Sequence, residues 1–285
     1  ITVAFGFMAV GLAIKAALFP VHAWLPNAYA YAPSVATIFL AATATKVSIY
    51  VLIRTYFTIF HHEFSFGVMA LGDIFMVFAV LAMLVGSAIA IFQTDIKRML
   101  AYSSVAQIGY MVLGVSMATV LGLTGGMLHL FNHAMIKGAL FLVLAAVFFR
   151  IKSVKIEHMA GLGKVMPYSM AAFVLAGFSL IGVPLTVGFV SKWYLILGAL
   201  EKGWWPVAGL VLISSLLAVI YFWKVIEAIY FKTRPQDAAI IHEVPITMLV
   251  PMWLLVGANI YFGINTELSV GAASAAAKML IGGAP

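Results

Sequence analysis

The sequence predicts an all-α, polytopic membrane protein, and three observations carry that prediction. Of its 285 residues 65% are hydrophobic, only 9% are charged, and the apolar residues fall into long unbroken runs. A soluble domain carries ~25% charged residues. A chain this poor in charge has more apolar surface than one soluble core can hide, and disorder, which needs low hydrophobicity and high charge, is excluded more firmly still. The absence of cysteine removes disulfides, thiolate metal sites and Cys-ligated iron–sulfur clusters. A pI near 9.5 raises the question of nucleic acid. The basic residues, however, are scattered among apolar runs and short connectors, which fits orientation in a bilayer instead.

A spanning helix needs ~20 mostly apolar residues, and that ruler finds about eight candidates. They cover residues 1–19, 34–54, 67–93, 97–116, 119–149, 168–200, 205–231 and 245–264. The first begins at Ile1, already inside an apolar run, and no cleavable leader pattern precedes it, which predicts a fragment or a processed piece. It runs into Pro20 and a polar break that lasts to Pro33. The stretch 168–200 contains Gly182, Pro184 and Gly188, so it reads as two half-helices joined by an unwound segment. Such a break survives at membrane depth only where protein or a water-filled cavity satisfies the freed backbone groups. Residues 265–285, Ala-rich with Glu267 and Lys278, read as a surface helix.

Basic residues orient the spans. One side holds Lys97, Arg98, Arg150, Lys152, Lys155, Lys164, Lys232 and Arg234, and the other only Arg54, Lys202 and Lys278. By the positive-inside rule the connectors 94–98, 150–167 and 232–244 are cytoplasmic, with the start and the end of the chain outside. A weak internal repeat accompanies this pattern. An interrupted run with one Lys (Pro20 with Lys15) precedes a helix with a mid-span Lys (Lys46), and the order recurs with Pro184 and Lys192, then Lys224. Interrupted helices at corresponding positions in two halves point to a translocation site.

Charges inside the spans need a reason, because one at the bilayer centre costs ~2.5–3.5 kcal/mol on insertion scales. Lys15, Lys46, Lys137, Lys192, Lys224 and Glu227 lie there, with His129 and His133. A membrane Lys can exchange protons where a surface Lys cannot, so a proton relay is physically available. Each has a plainer alternative. Lys46 and Lys224 are near enough to their helix ends to snorkel, and Glu227, three residues after Lys224, is placed for a local ion pair. Lys15 and Lys192 adjoin breaks in wholly apolar surroundings and are harder to explain away.

His129, His133 and Lys137 follow at i, i+4 and i+8 and share one stripe of a helix. A His pair at this spacing can hold zinc, but no third ligand follows and the Lys137 cation opposes a metal. A hydrated proton path is the preferred reading, ahead of an interhelical hydrogen-bond cluster and then a metal site, with Asn132, Ser103, Ser104 and Gln107 as neighbours of the path or interhelical glue. Asp73 sits near the outer end of its span, as an interface residue or a minor member of the path. Gly122 and Gly126 form a GxxxG that implies close helix packing. The "GLGK" at 161–164 lacks the upstream Gly of a phosphate loop and is not a nucleotide site.

Five ordered motifs carry a resemblance over nearly the whole chain: "AIKAALFPVHAWLPNAYAYAP" (13–33), "DIKRMLAYSSVAQIGYM" (95–111), "HLFNHAMIKGALFL" (129–142), "HMAGLGKVMP" (158–167) and "GVPLTVGFVSKWYL" (182–195). The chain resembles the antiporter-like proton-translocating subunits of Mrp-type sodium/proton antiporters, respiratory complex I and membrane hydrogenases. The "GFVSKWYL" form is most similar to the Mrp D-type subunit. The resemblance implies two inverted five-helix repeats, each with a broken helix, within about fourteen helices. Residues 1–66 are then the end of the first repeat, 67–232 the second, and 233–285 a C-terminal transmembrane helix with a surface helix.

The resemblance also assigns roles. Lys15 matches the Lys of the first broken helix, Lys46 the bridging Lys, His129, His133 and Lys137 the central relay, and Lys192 the terminal Lys. Lys224, Glu227 and Asp73 are secondary candidates. In the family the first Lys pairs with a Glu on an earlier helix, which this sequence does not contain. The working unit is therefore expected to include an N-terminal half or a partner supplying that carboxylate. The expected function is proton translocation from the cytoplasmic side near Lys15 and Lys46, laterally through His129, His133 and Lys137, and outward near Lys192. The alternative is the pump module of a redox enzyme of the complex I or hydrogenase type. No cofactor, metal or catalytic site of its own is expected. The expected partners are other membrane subunits, protons, sodium and the bilayer of a bacterial or archaeal plasma membrane, with no nucleic acid.

Overall fold

The computed structural model describes residues 1–235 and 240–282. Helix α1 (Thr2–Ala16) stops where Ala17 turns left-handed, ahead of Pro20. The segment expected as a polar break then winds into a short helix, α2 (Trp24–Tyr31). Its Pro26 falls in the first turn, where a missing N–H leaves no intrahelical bond unmade.

A long bent span follows. It consists of α3 (Ser34–Phe39), a π-helical segment Leu40–Ala44, α4 (Thr45–Arg54) and a second π-helical segment Thr55–Ile59. After a third π segment, Glu63–Val68, come α5 (Leu71–Phe92), α6 (Ile96–Met117) and α7 (Val120–Ile151). Polar caps set two of these starts: the Asp95 carboxylate accepts from Arg98 N at 3.0 Å and the Thr119 hydroxyl from Gly122 N at 3.1 Å. A connector with a 3₁₀ turn (Ile156–Met159) and α8 (Leu162–Val165) leads to the broken pair α9 (Pro167–Ile181) and α10 (Val187–Glu201). Then come α11 (Trp205–Tyr230), α12 (Ile246–Ile264) and α13 (Glu267–Ile281).

Six of these elements are long and apolar enough to cross a bilayer among the described residues: Ser34–Ile59, Leu71–Phe92, Ile96–Met117, Val120–Ile151, Trp205–Tyr230 and Ile246–Ile264. With α1 and the α9/α10 pair they account for the eight expected stretches. The break at 182–186 lies where Gly182, Pro184 and Gly188 place it, with Gly182 left-handed at φ 95°.

The bundle is organised around α6 and α7. Helix α7 touches α3, α4, α6, α9, α10, α12 and α13, and α6 is buried along nearly its whole length. At 32 residues α7 is about 48 Å long, well beyond a ~30 Å hydrocarbon core. Glycines bring these helices into backbone contact. A Cβ on Gly114 of α6 would lie 2.6 Å from Gly122 O and 2.6 Å from Gly126 Cα of α7. One on Gly198 of α10 would lie 2.8 Å from Gly122 N. The GxxxG of α7 is thus the meeting point of three helices. Large apolar side chains such as Phe7, Val35, Leu216 and Leu254 face outward and suit a lipid surface.

The three basic connectors gather at one end, as the charge bias requires. Ile96 N donates to Val154 O (3.0 Å) and Ile156 N to Thr94 O (2.9 Å), Gly161 N reaches Ala228 O (3.1 Å), and the Arg150 guanidinium donates to Glu243 O. Residues 236–239 of the connector 232–244 and residues 283–285 of the C-terminal stretch lie outside the described residues.

Candidate functional site

Five of the six proposed relay residues are buried within the bundle, and one is not. Lys46, His129, His133, Lys137 and Lys192 are each at most 5% exposed. Lys15, in the last turn of α1, is exposed, with its side chain unpaired among the described residues. Only its carbonyl joins the bundle, accepting from Ser48 Oγ of α4 at 3.3 Å.

Each buried lysine is held by backbone carbonyls that helix irregularities or helix ends leave available. Lys46 opens α4 just after the π segment Leu40–Ala44 and donates to Ala41 O, with Thr45 Oγ1 at 3.4 Å. A π turn displaces the i to i+4 ladder, and such turns recur at functional sites. Lys137 donates to Leu100 O (2.7 Å) and to the Ser103 hydroxyl of α6. Lys192 donates to Leu180 O (3.1 Å) and Ile181 O (2.7 Å), the carbonyl end of α9, and to Ser215 Oγ of α11 (3.0 Å). A cation there also meets the negative end of the α9 dipole. Its fourth side faces the Tyr110 ring, 4.9 Å away. Among the described residues no carboxylate is bonded to any of the three.

The histidines link these lysines. His129 is bonded on both sides, Nδ1 to Ser191 Oγ (2.9 Å) and Nε2 to Gln107 Oε1 (2.8 Å). Both ring nitrogens of His133 are buried without a hydrogen-bond partner among the described residues. Lys46 and Lys137 stand close enough to act electrostatically on His133, and Lys46 and Lys192 on His129. The two imidazoles lie face to face, 6.2 Å apart and 12° from parallel, so neither ring's nitrogen donates to the other. The i, i+4 spacing placed them on one stripe but left them out of direct hydrogen-bond contact.

Of the expected polar neighbours, Gln107 and Ser103 bond the line directly. Asn132 Nδ2 donates to Val187 O (2.6 Å) and so pins the start of α10 beside the break, while Ser104 bonds Leu100 O of its own helix (3.0 Å). Sequence reasoning missed Ser191, Ser215, Tyr110 and Tyr221. Ser191 adjoins Lys192, and Ser214 and Ser215 form a polar pair inside an apolar helix, which were visible signals. Nothing in the sequence marked Tyr110 and Tyr221 among eleven tyrosines.

The secondary candidates fall outside this line. Asp73 is exposed in the first turn of α5, where a carboxylate favours the helix N-terminus. The expected Lys224–Glu227 ion pair does not form. Lys224 instead reaches across to Ile91 O (3.3 Å) and Gln93 O (3.1 Å), and Glu227 stays exposed. Lys224 caps the end of α5, which satisfies carbonyls that no helix bond uses. Lys224→Met is therefore expected to cost about 1 kcal/mol of stability, read as a lowered thermal midpoint, with transport per folded complex unchanged.

A helical bundle with a broken helix and a buried lysine–histidine line across its middle defines the class: a polytopic membrane protein with ionisable residues in its interior. Residues 1–218 match the family described as NADH:quinone oxidoreductase/Mrp antiporter, TM, and the chain belongs to that family. It is 42% identical over 273 residues to NADH-quinone oxidoreductase subunit N of Desulforudis audaxviator, covering 92% of this chain and 54% of that protein. Identity to the D-type subunit of the Na(+)/H(+) antiporter of Alkalihalophilus pseudofirmus is 32% over 256 residues, covering 90% of this chain and 51% of that one. Among solved structures, the Mrp complex from Dietzia sp. DQ12-45-1b superimposes with a TM-score of 0.91 at 26% identity, over 99% of this chain and 60% of the matched one. The chain spans about half the length of the curated relatives it matches.

Proposed function

We propose that this chain is a proton-translocating subunit of a multisubunit cation/proton antiporter in a prokaryotic plasma membrane, and that Lys46, His133, Lys137, His129 and Lys192 form its lateral proton path. One observation carries this reading: three amines and two imidazoles are buried in mutual electrostatic reach, with neutral partners and no bonded carboxylate among the described residues. Such residues are costly in a bilayer and persist where they serve an ion or proton pathway. A proton arriving on one amine repels the next, so occupancy is passed on rather than accumulated. Between His133 and His129 the stacked rings require a bridging water.

Lys15 is the entry residue in this reading. Its exposed position on α1 suits a carboxylate partner supplied from elsewhere in the assembly. Residues 1–66 and 67–232 are read as the end of one inverted repeat and a second one, supported by the two interrupted helices, α1/α2 and α9/α10.

The test is proton flux in proteoliposomes holding the whole assembly. Flux driven by a sodium gradient, lost in Lys192→Ala and in His133→Ala, is the expected result. Parental flux in either variant would sink the relay. A second reading is the pump subunit of an NADH:quinone oxidoreductase-type complex, favoured by the 42% identity to a subunit N. It requires flux driven by an electron donor and not by sodium.

A further inference from the structure

Lys192 has surroundings that the relay alone does not use. Its ammonium has three N–H bonds and three acceptors: Leu180 O, Ile181 O and Ser215 Oγ. Once a proton has left, the amine has two N–H bonds and a lone pair. The two carbonyls still match the N–H bonds, but a carbonyl cannot donate to the lone pair. Ser215 Oγ is the one bonded partner that can do both.

Ser215 is not free to do so by itself, because its hydroxyl also lies 3.1 Å from Val211 O. Tyr110 resolves that conflict. Its hydroxyl reaches the same Val211 carbonyl at 3.2 Å and Ser215 Oγ at 3.3 Å. Val211 lies inside α11, where its carbonyl already takes the helix bond from the Ser215 amide, so one lone pair is left for two hydroxyls and one of them is in surplus. The Tyr110 ring meanwhile stands between the two ends of this step, 4.9 Å from Lys192 Nζ and 5.3 Å from the His129 ring.

We propose that Tyr110 and Ser215 form a reversible hydroxyl pair that keeps Lys192 hydrogen-bonded both with and without its transported proton, so that Tyr110 is a positioning residue for proton release. This rests on the relay reading above. With Lys192 charged, Ser215 accepts from Nζ and donates to Val211 O, and Tyr110 donates to Ser215. When the proton leaves Nζ for the outer side, Ser215 turns its hydrogen to the Nζ lone pair and Tyr110 takes over Val211 O. No covalent bond beyond that N–H is broken. The other groups around Lys192 leave the pair in charge of this exchange. Helix α9 presents the Leu180 and Ile181 carbonyls, α6 the Tyr110 ring and α7 the His129 imidazole. Asn259 of α12 is engaged with Ser179 and Leu255 O, and Ser214 of α11 with Ser87 and Met83 O.

The experiment measures proton flux against pH for the whole assembly in proteoliposomes. Tyr110→Phe keeps the ring against Lys192 but removes the substitute donor. Flux is expected to fall about 3- to 10-fold, the effect of about one hydrogen bond, and its pH profile to move in the alkaline direction because the neutral amine is less well supported. Ser215→Ala is expected to fall further and Ser215→Thr to restore flux. The double variant Tyr110→Phe/Ser215→Ala should be no worse than Ser215→Ala alone, since the two hydroxyls act as a unit. If Lys192→Ala abolishes flux while Tyr110→Phe leaves the pH profile unmoved, the hydroxyl pair is refuted and the relay stands. Additive losses in the double variant also refute the pair. Parental flux in Lys192→Ala removes the relay and the pair together.

Discussion

Lys137→Met is expected to cut proton flux by at least about 100-fold, the scale of a lost general acid/base, while the assembly stays folded. The contrast follows from how Lys137 is held. Its partners remain satisfied when the ammonium goes, because Leu100 O also accepts from Ser103 Oγ (2.9 Å) and Ser104 Oγ (3.0 Å). Met has similar length and needs no hydrogen bond, and removing an unpaired buried charge relieves a desolvation cost. Thermal midpoint should hold or rise as flux falls. Lys137→Arg separates charge from exchange, since a guanidinium does not give up its proton in a protein. The Arg variant should also be inactive. If it carried protons at the parental rate, Lys137 would be only a fixed positive charge.

Gly188→Ala should instead damage fold and transport together. A Cβ at Gly188 would sit 1.7 Å from Ser179 O, a backbone atom of α9 that cannot step aside. The two half-helices would have to separate, and with them the Leu180 and Ile181 carbonyls that hold Lys192. A cost of about 3 kcal/mol or more is expected, the upper end of overpacking, seen as a lowered unfolding midpoint of the purified assembly together with lost flux. Gly257→Ala is the control. Nothing lies within 4 Å of its added Cβ, and Ala is the better helix former. Equal behaviour of the two variants would mean that the approach at the break is not what holds the site.

Much of this was legible because a bilayer makes charge conspicuous. Lys46, His129, His133, Lys137 and Lys192 stood out as polar residues in apolar runs, and the Gly–Pro–Gly spacing located the break. Their partners were not legible, since Ala41, Leu100, Leu180 and Ile181 act through backbone carbonyls, which no side-chain letter records. The same blind spot explains Lys224. Spacing offered Glu227 as its partner, yet the open carbonyls ending α5 took the ammonium. Two extended breaks were expected, but "WLPNAYAY" closed into α2 because Pro26 falls where a helix tolerates it. Sequence marked Lys15 as harder to explain away than Lys46, and the structure reverses that order with Lys15 exposed and Lys46 buried, because the turn at Ala17 and the packing of α1 decide which face the Lys15 side chain takes.

The glycine contacts joining α6, α7 and α10 carry a mechanical consequence. Helices whose backbones already touch at Gly114, Gly122, Gly126 and Gly198 have no room to rock past each other without prising the seam apart. Transporters that alternate by moving one bundle against another need slack along such a line. Here the scaffold around the lysines is a fixed frame. In the proposed relay, opening and closing of the path would then fall to hydroxyl rotors, ammonium arms and the ordering of water, turning between helices that stay put.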